Sequence, residues 1–219
     1  MTQIPKDELW TMPPPEWFAG KRVLELGNKK NQSGLYRDWY VSNGAEYLCL
    51  DWNGEDGAIV ADMGVHHHAE KNIRPLIGWA DIVTNFGFTE HVFTDQRQCW
   101  ENVLALAAKP GCMLSIVQPY PTHWDHHGVF QPTPGWLMSL VRANGFEMFL
   151  ATVNEDRKRW VTCIGAQRVE PFDPATFVYP DPHYQPVTPH TCPMGKGIYI
   201  TPPGKRVNAA EKNCGVSSV

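Results

Sequence analysis

What this 219-residue sequence lacks narrows its class before any motif is weighed. No apolar run approaches the roughly 20 residues of a membrane span, and the polar, proline-bearing start is no signal peptide. A cytoplasmic protein with no membrane partner is therefore expected. Basic residues are outnumbered, 19 Lys and Arg against 23 Asp and Glu, for a formal charge of −4. Broad affinity for nucleic acid or anionic lipid needs a basic face to displace counterions. The one compact basic run, Arg157-Lys158-Arg159, reads as a solvated turn. The six cysteines form no CxxC pair. Cys49, Cys112 and Cys163 stand among apolar neighbours, as small buried thiols do, while Cys192 and Cys214 in the irregular tail stay undecided. Neither GxxxxGK[ST] nor a full GxGxxG is present, which weakens the case for a nucleoside triphosphate or a dinucleotide. There is no internal repeat. A composition of 42% hydrophobic and 19% charged residues suits one globular domain.

Three parts are expected: an N-terminal arm over 1–20, an alternating strand and helix domain over 21–168, and an extension over 169–219. The arm carries Trp10, Trp17 and Phe18 around Pro13-Pro14-Pro15 and cannot form a long helix. The extension holds nine of the 19 prolines and one strand-like run, Ile198 to Thr201. In the central part the first strand, Arg22 to Leu26, runs into a polar loop from Gly27 to Gly34, and Ser33 is placed to cap a helix from Gly34 to Asn43. Further strands are expected at Glu46 to Leu50, Ala58 to Ala61, Asp81 to Thr84 and Cys112 to Val117. A helix from about Asp95 to Ala108 stops at Lys109-Pro110-Gly111. Another begins at Thr133-Pro134, the cap and first turn, and ends at Asn144-Gly145. The last strands, Phe146 to Val153 and Arg159 to Gln167, share a turn short enough to force antiparallel pairing.

Alternation of this kind predicts an α/β fold, a doubly wound, seven-stranded, mostly parallel sheet with the last strand antiparallel. Ligands of such sheets bind at the carboxyl ends of the strands. This chain places there the Gly27 loop, Asp51-Trp52, Asp62-Met63, Asn85-Phe86 and the loop after Val117. An acid after the second strand suits ribose hydroxyls, an acceptor after the third suits an adenine amino group, and Trp52 and Met63 could sandwich the base.

On these residues the segment 21–168 resembles the class I S-adenosylmethionine-dependent methyltransferases. Their first motif is matched by Glu25 and Gly27, the acid closing the second strand by Asp51, the Asp turn after the third by Ala61-Asp62-Met63, and the end of the fourth by Asp81 to Phe86. The resemblance implies S-adenosylmethionine as cofactor, held by Glu25, Gly27, Asn28, Asp51, Trp52, Asp62, Met63, Asn85 and Phe86. Asn28-Lys29-Lys30-Asn31 replaces the family's later glycines, so the methionine end is held differently or cofactor binding has been lost. Asn85-Phe86-Gly87-Phe88 resembles only at its ends the Asn-Pro-Pro-Tyr/Phe motif of methyltransferases acting on DNA bases. Both prolines are missing.

The histidines admit more than one reading. His66-His67-His68, His91, His123, His126 and His127 invite a metal, and His123, Asp125 and His127 alternate as extended-chain positions do. No ExxH or HExxH helix supports that reading, and the site is taken without a metal. Asp125-His126-His127 also resembles the DHH phosphoesterases, whose other aspartate motifs are absent. His66 to His68 read as an exposed turn. In methyl transfer the protein must align the acceptor and remove its proton. His91, His126 or His127 is then the candidate base, oriented by Asp125, or these side chains merely bond the loop. Tyr120, Trp124 and Phe130 would wall the space for a small-molecule acceptor. The rival functions are a binding or assembly protein of the same fold and a metal-dependent hydrolase using residues 123–127. A homo-oligomer formed through the extension is a further expectation.

Overall fold

The computed structural model describes residues 15–28, 30–31, 34–121, 127–156, 159–181, 198–201 and 205–206. Seven strands make the body of the sheet: β1 (Arg22–Leu26), β2 (Glu46–Asp51), β3 (Ile59–Val60), β4 (Ile82–Phe86), β5 (Met113–Pro119), β6 (Phe146–Asp156) and β7 (Arg159–Arg168). Their order is 3-2-1-4-5-7-6, with β7 antiparallel to β5 and to β6 and the other pairs parallel. The expected topology is therefore the observed one. Ile198–Thr201 adds an antiparallel strand beyond β6.

Three α-helices lie among the described residues, α1 (Tyr36–Ser42), α2 (Gln96–Leu106) and α3 (Pro134–Ala143). Asp95 caps α2 by accepting the Gln98 N–H, and Thr133 caps α3 by accepting that of Trp136. The first helix is shorter than its spacing predicts. Gly34–Leu35 pairs instead with Lys30–Asn31 as a small hairpin, so α1 begins at Tyr36; Ser33 lies outside the described residues.

Alternation along the strands divides the core. Leu24, Leu26 and Leu50 face α2 and α3, where Trp100, Val103, Leu104, Leu137 and Leu140 complete the larger cluster. Val23 and Phe86 face α1, meeting Tyr36, Trp39, Tyr40 and Phe18 from the arm. Cys49, Cys99, Cys112 and Cys163 are buried free thiols, and burial raises Cys49 and Cys112 to about 12. The start of the extension is part of this body. Phe177 is buried against α2, Asn144 bonds both the N–H and the carbonyl of Val178, and Trp136 Nε1 donates to the Pro180 carbonyl. Among the described residues no helix is long and apolar enough to cross a membrane.

At the edge opposite the strands' carboxyl ends, Asp81 accepts the Arg22 N–H at 2.9 Å and pairs with Lys109. Burial pushes its carboxyl up, but these donors outweigh that and hold it below the ordinary value. A depressed carboxyl contributes stability above its unfolded pKa, near 4, and loses it as pH falls through the lower folded value. The pair is partly exposed, so about 0.5–1 kcal/mol is expected. Chemical denaturation of Asp81→Asn should show that loss at pH 7 and a shallower decline of stability below about pH 4.

Candidate functional site

Five strand ends and the turns that leave them build the carboxyl edge. Gly27 follows β1 with φ of +76°, and its N–H donates to the Leu50 carbonyl at 2.8 Å. A Cβ at this position would lie 2.7 Å from the Phe88 ring. The left-handed backbone and the close ring both demand glycine. Gly27→Ala is expected to cost about 2–3 kcal/mol, from about 1–2 for the conformation and the rest for displacing Phe88, read as a lowered thermal midpoint.

Asn28 fastens this turn to the end of β2. Its N–H donates to Asp51 Oδ2 at 2.9 Å, and its side-chain amide donates to the Glu55 carbonyl at 2.9 Å and to Asp56 Oδ2 at 3.2 Å. Among the described residues, Asp51 Oδ1 is met only by the Asn53 N–H at 3.4 Å. A carboxylate offers about four lone-pair directions, so Asp51 keeps acceptor capacity beside the 75% exposed indole of Trp52.

Other residues expected here are arranged differently. Glu25 is buried in β1 on the α1 side, where its Oε2 accepts the Tyr47 hydroxyl at 2.5 Å and ties β1 to β2, away from the edge. Burial and the Glu25 charge raise the Tyr47 pKa far above that of a free phenol. Asp62 Oδ1 accepts the Gly64 N–H and the Thr94 hydroxyl, bracing its own turn. Met63 is 1% exposed and buried in the larger core cluster, so its thioether is not available to sandwich a base with Trp52. Phe86 is likewise taken up by the core, 6.2 Å from Tyr36 in an edge-on contact. Asn85 is buried and bonded within the protein: its amide donates to Thr89 Oγ1, and its carbonyl accepts the Thr89 N–H and the Gln118 amide. It shapes the turn after β4.

His66 and His68 are exposed, as expected of that turn, but His67 between them is not. It is 1% exposed, with Nδ1 3.1 Å from Asn102 Oδ1, and burial lowers its pKa. The Asn102 amide also donates to the Met63 and Val65 carbonyls, so one α2 side chain secures the segment after β3.

The turn after β4 and the loop after β5 meet at Glu90, His91 and His127. Glu90 is fully buried, with Oε1 3.8 Å from His91 Nε2 and 3.6 Å from His127 Nε2. The imidazoles are edge to face at 4.7 Å and partly open to solvent. Burial, and then the proximity of His127, lowers the His91 pKa, favouring neutral imidazole. The loop is clamped here: Val129 N–H donates to the Glu90 carbonyl at 2.7 Å, and a Cβ on Gly128 would lie 2.6 Å from that oxygen. Gln131 donates to the His127 carbonyl at 2.8 Å. Two of the three candidate bases, His91 and His127, are thus brought together, with Glu90 as their carboxylate. Asp125, together with His123, Trp124 and His126, lies outside the described residues. Tyr120 is half-buried just past β5, its pKa raised by burial. Phe130 packs edge-on to Trp136 at 5.2 Å, against the core.

No family model matches the sequence, and no curated protein matches it. Solved structures resemble its fold. The 1,6-didemethyltoxoflavin-N1-methyltransferase of Burkholderia thailandensis, solved with 1,6-didemethyltoxoflavin and S-adenosylhomocysteine, superposes with a TM-score of 0.53 at 13% identity, over 75% of this chain and 80% of its own. A SAM dependent methyltransferase from Archaeoglobus fulgidus gives 0.52 at 14% identity, over 70% of this chain and 89% of its own. The strand order with its antiparallel β7 is the class I S-adenosylmethionine-dependent methyltransferase fold.

Proposed function

We propose that this chain uses its class I methyltransferase fold to bind S-adenosylmethionine and to transfer the methyl group to an oxygen or nitrogen of a small molecule. The observation that carries the reading is Asp51: a partly accessible carboxylate at the end of β2, oriented by the Asn28 N–H at 2.9 Å and beside an exposed indole. That donor set fits an adenosine, with ribose hydroxyls donating to Asp51 and Trp52 covering one face of the base. Gly27 and Asn28 would flank the ligand, while Glu25 ties β1 to β2 and Asn85 holds the turn after β4 from behind.

S-adenosylmethionine supplies an already activated methyl group, so this chain's residues have two tasks. One is to align the acceptor. The other is to take up its proton, and the cluster of Glu90, His91 and His127 at the ends of β4 and β5 is suited to that, with neutral imidazole favoured at His91. Tyr120 stands at the mouth of the same loop. The negative formal charge favours a small acceptor over a nucleic acid.

Calorimetry with S-adenosylhomocysteine tests the cofactor; stoichiometric binding is expected, and no heat at millimolar ligand would remove the reading. A second reading, a cofactor-holding protein without transfer, draws on the Asn28 contacts with Glu55 and Asp56, which close the turn where the family's glycines leave it open. Binding without methyl transfer to any acceptor in a metabolite extract would favour it.

A further inference from the structure

Beyond the cofactor, we infer that Glu90, His91 and His127 form a site for one first-row divalent cation of the zinc class, at the acceptor side of the fold. One donor atom from each of the three residues lies within 4.8 Å of the other two. Around a cation with bonds of about 2.0–2.2 Å, tetrahedral ligand atoms stand roughly 3.3–3.6 Å apart. The carboxylate to imidazole separations, 3.6 and 3.8 Å, need to close by only a few tenths of an ångström. Two imidazoles and one carboxylate suit zinc, manganese or iron(II), whereas calcium and magnesium prefer all-oxygen shells.

The placement is that of a working cation rather than a structural one. Three protein ligands leave at least one position free, and the exposed parts of both imidazoles put that position toward solvent and an incoming acceptor. The surroundings hold the ligands in place. The Val129 N–H and the bare Cα of Gly128 lock the β5 loop onto Glu90, and Gln131 restrains the His127 backbone. The other histidine group, His66 to His68, comes from a single turn, and its middle ring is already engaged with Asn102.

This inference rests on the methyl-transfer reading for its purpose. With the cation bound, the two imidazoles serve as ligands and no longer take up the proton themselves; instead the cation, facing an acceptor hydroxyl, makes loss of its proton to solvent easier near neutral pH. An oxygen lone pair then forms the new O–CH3 bond while the S–CH3 bond breaks, its electron pair staying on sulfur as S-adenosylhomocysteine leaves. The acceptor class is accordingly a hydroxylated small molecule, an alcohol or phenol.

The test uses full-length protein with no histidine tag. Cobalt(II) titrated into it should give visible absorption bands saturating at one equivalent, and zinc should displace them. His127→Gln and His91→Gln should each weaken cobalt binding by at least about 100-fold, more than the 10- to 100-fold typical of outer-shell changes. His66→Gln/His68→Gln should bind as the parent does. Circular dichroism checks that each variant is folded, and Glu90→Gln serves as a second variant if either single replacement unfolds the chain. Absence of saturable binding, or binding that survives both histidine replacements, overturns the site. Parallel S-adenosylhomocysteine calorimetry separates the two ideas: cofactor binding with no cation site overturns this inference alone, and a cation site with no cofactor binding overturns the methyl-transfer reading.

Discussion

Asp51→Ala should weaken S-adenosylhomocysteine binding by about 1.5–3 kcal/mol, or about 10- to 150-fold, as measured by calorimetry. The size follows from the kind of bond that is lost. Hydrogen bonds from ribose hydroxyls to an ionised carboxylate are charge-assisted and stronger than neutral ones. Asp51 also accepts the Asn28 N–H, so alanine loosens the turn after β1 along with the direct contact. Asp51→Asn separates these effects, because the amide oxygen can still accept the Asn28 N–H while the charge is gone. An intermediate loss in the asparagine variant would apportion the two. Unchanged affinity in both variants would take Asp51 out of the site.

The second large effect concerns Arg168, at the end of β7. Its guanidinium is buried, with Nε donating to the Ala107 carbonyl at 3.1 Å, Nη1 to that of Asn144 at 2.5 Å and Nη2 to that of Leu104 at 2.9 Å. These carbonyls belong to the carboxyl ends of α2 and α3, where helix dipoles favour positive charge. The Phe146 ring lies 3.9 Å from the guanidinium carbon, a cation–π contact. Burial still lowers the pKa to about 10, which leaves the group protonated at neutral pH. Arg168→Met would fill much of the volume but strand three carbonyls. We expect a loss of about 3–4 kcal/mol and, for a chain of this size, a midpoint lower by about 10 °C. Arg168→Lys should recover little of it, because one ammonium cannot span three carbonyls in a fork. A loss below about 1 kcal/mol would mean that water replaces the guanidinium.

The two variants also mark how far the sequence alone could be read. The fold was legible because its signals are local and periodic: the apolar runs of β1, β4 and β5, Asp95 and Thr133 as caps, and the Asn144-Gly145 stop each act within a few residues. Asp51 was legible too, since a strand end fixes its position on the edge. What could not be read depends on distant partners. His67 is buried because Asn102, 35 residues away, receives it. Met63 leaves the edge because the larger core, assembled from residues far along the chain, takes it in. Glu90 stood in plain sight beside His91, yet its place in the cluster appears only when Gly128 and Val129 bring the β5 loop down on it. A Glu-His pair after one strand and a His-Gly pair after the next was the available signal. The hairpin that delays α1 carries no apolar periodicity, so nothing in the spacing announced it.

The position of β7 in the sheet has a consequence for how the chain comes to be folded. β6 is made first, yet its only strand partner in the seven-stranded body is β7, which lies between it and β5. During synthesis β6 therefore emerges with its place in the sheet still unmade, and β5 waits with a bare edge until residue 168 has left the ribosome. Contacts as remote as Arg168 with Leu104 close late, at high loop entropy. A nascent chain stopped just past α3 would expose the edge of β5 and the apolar face meant for β6, which is the species chaperones would meet.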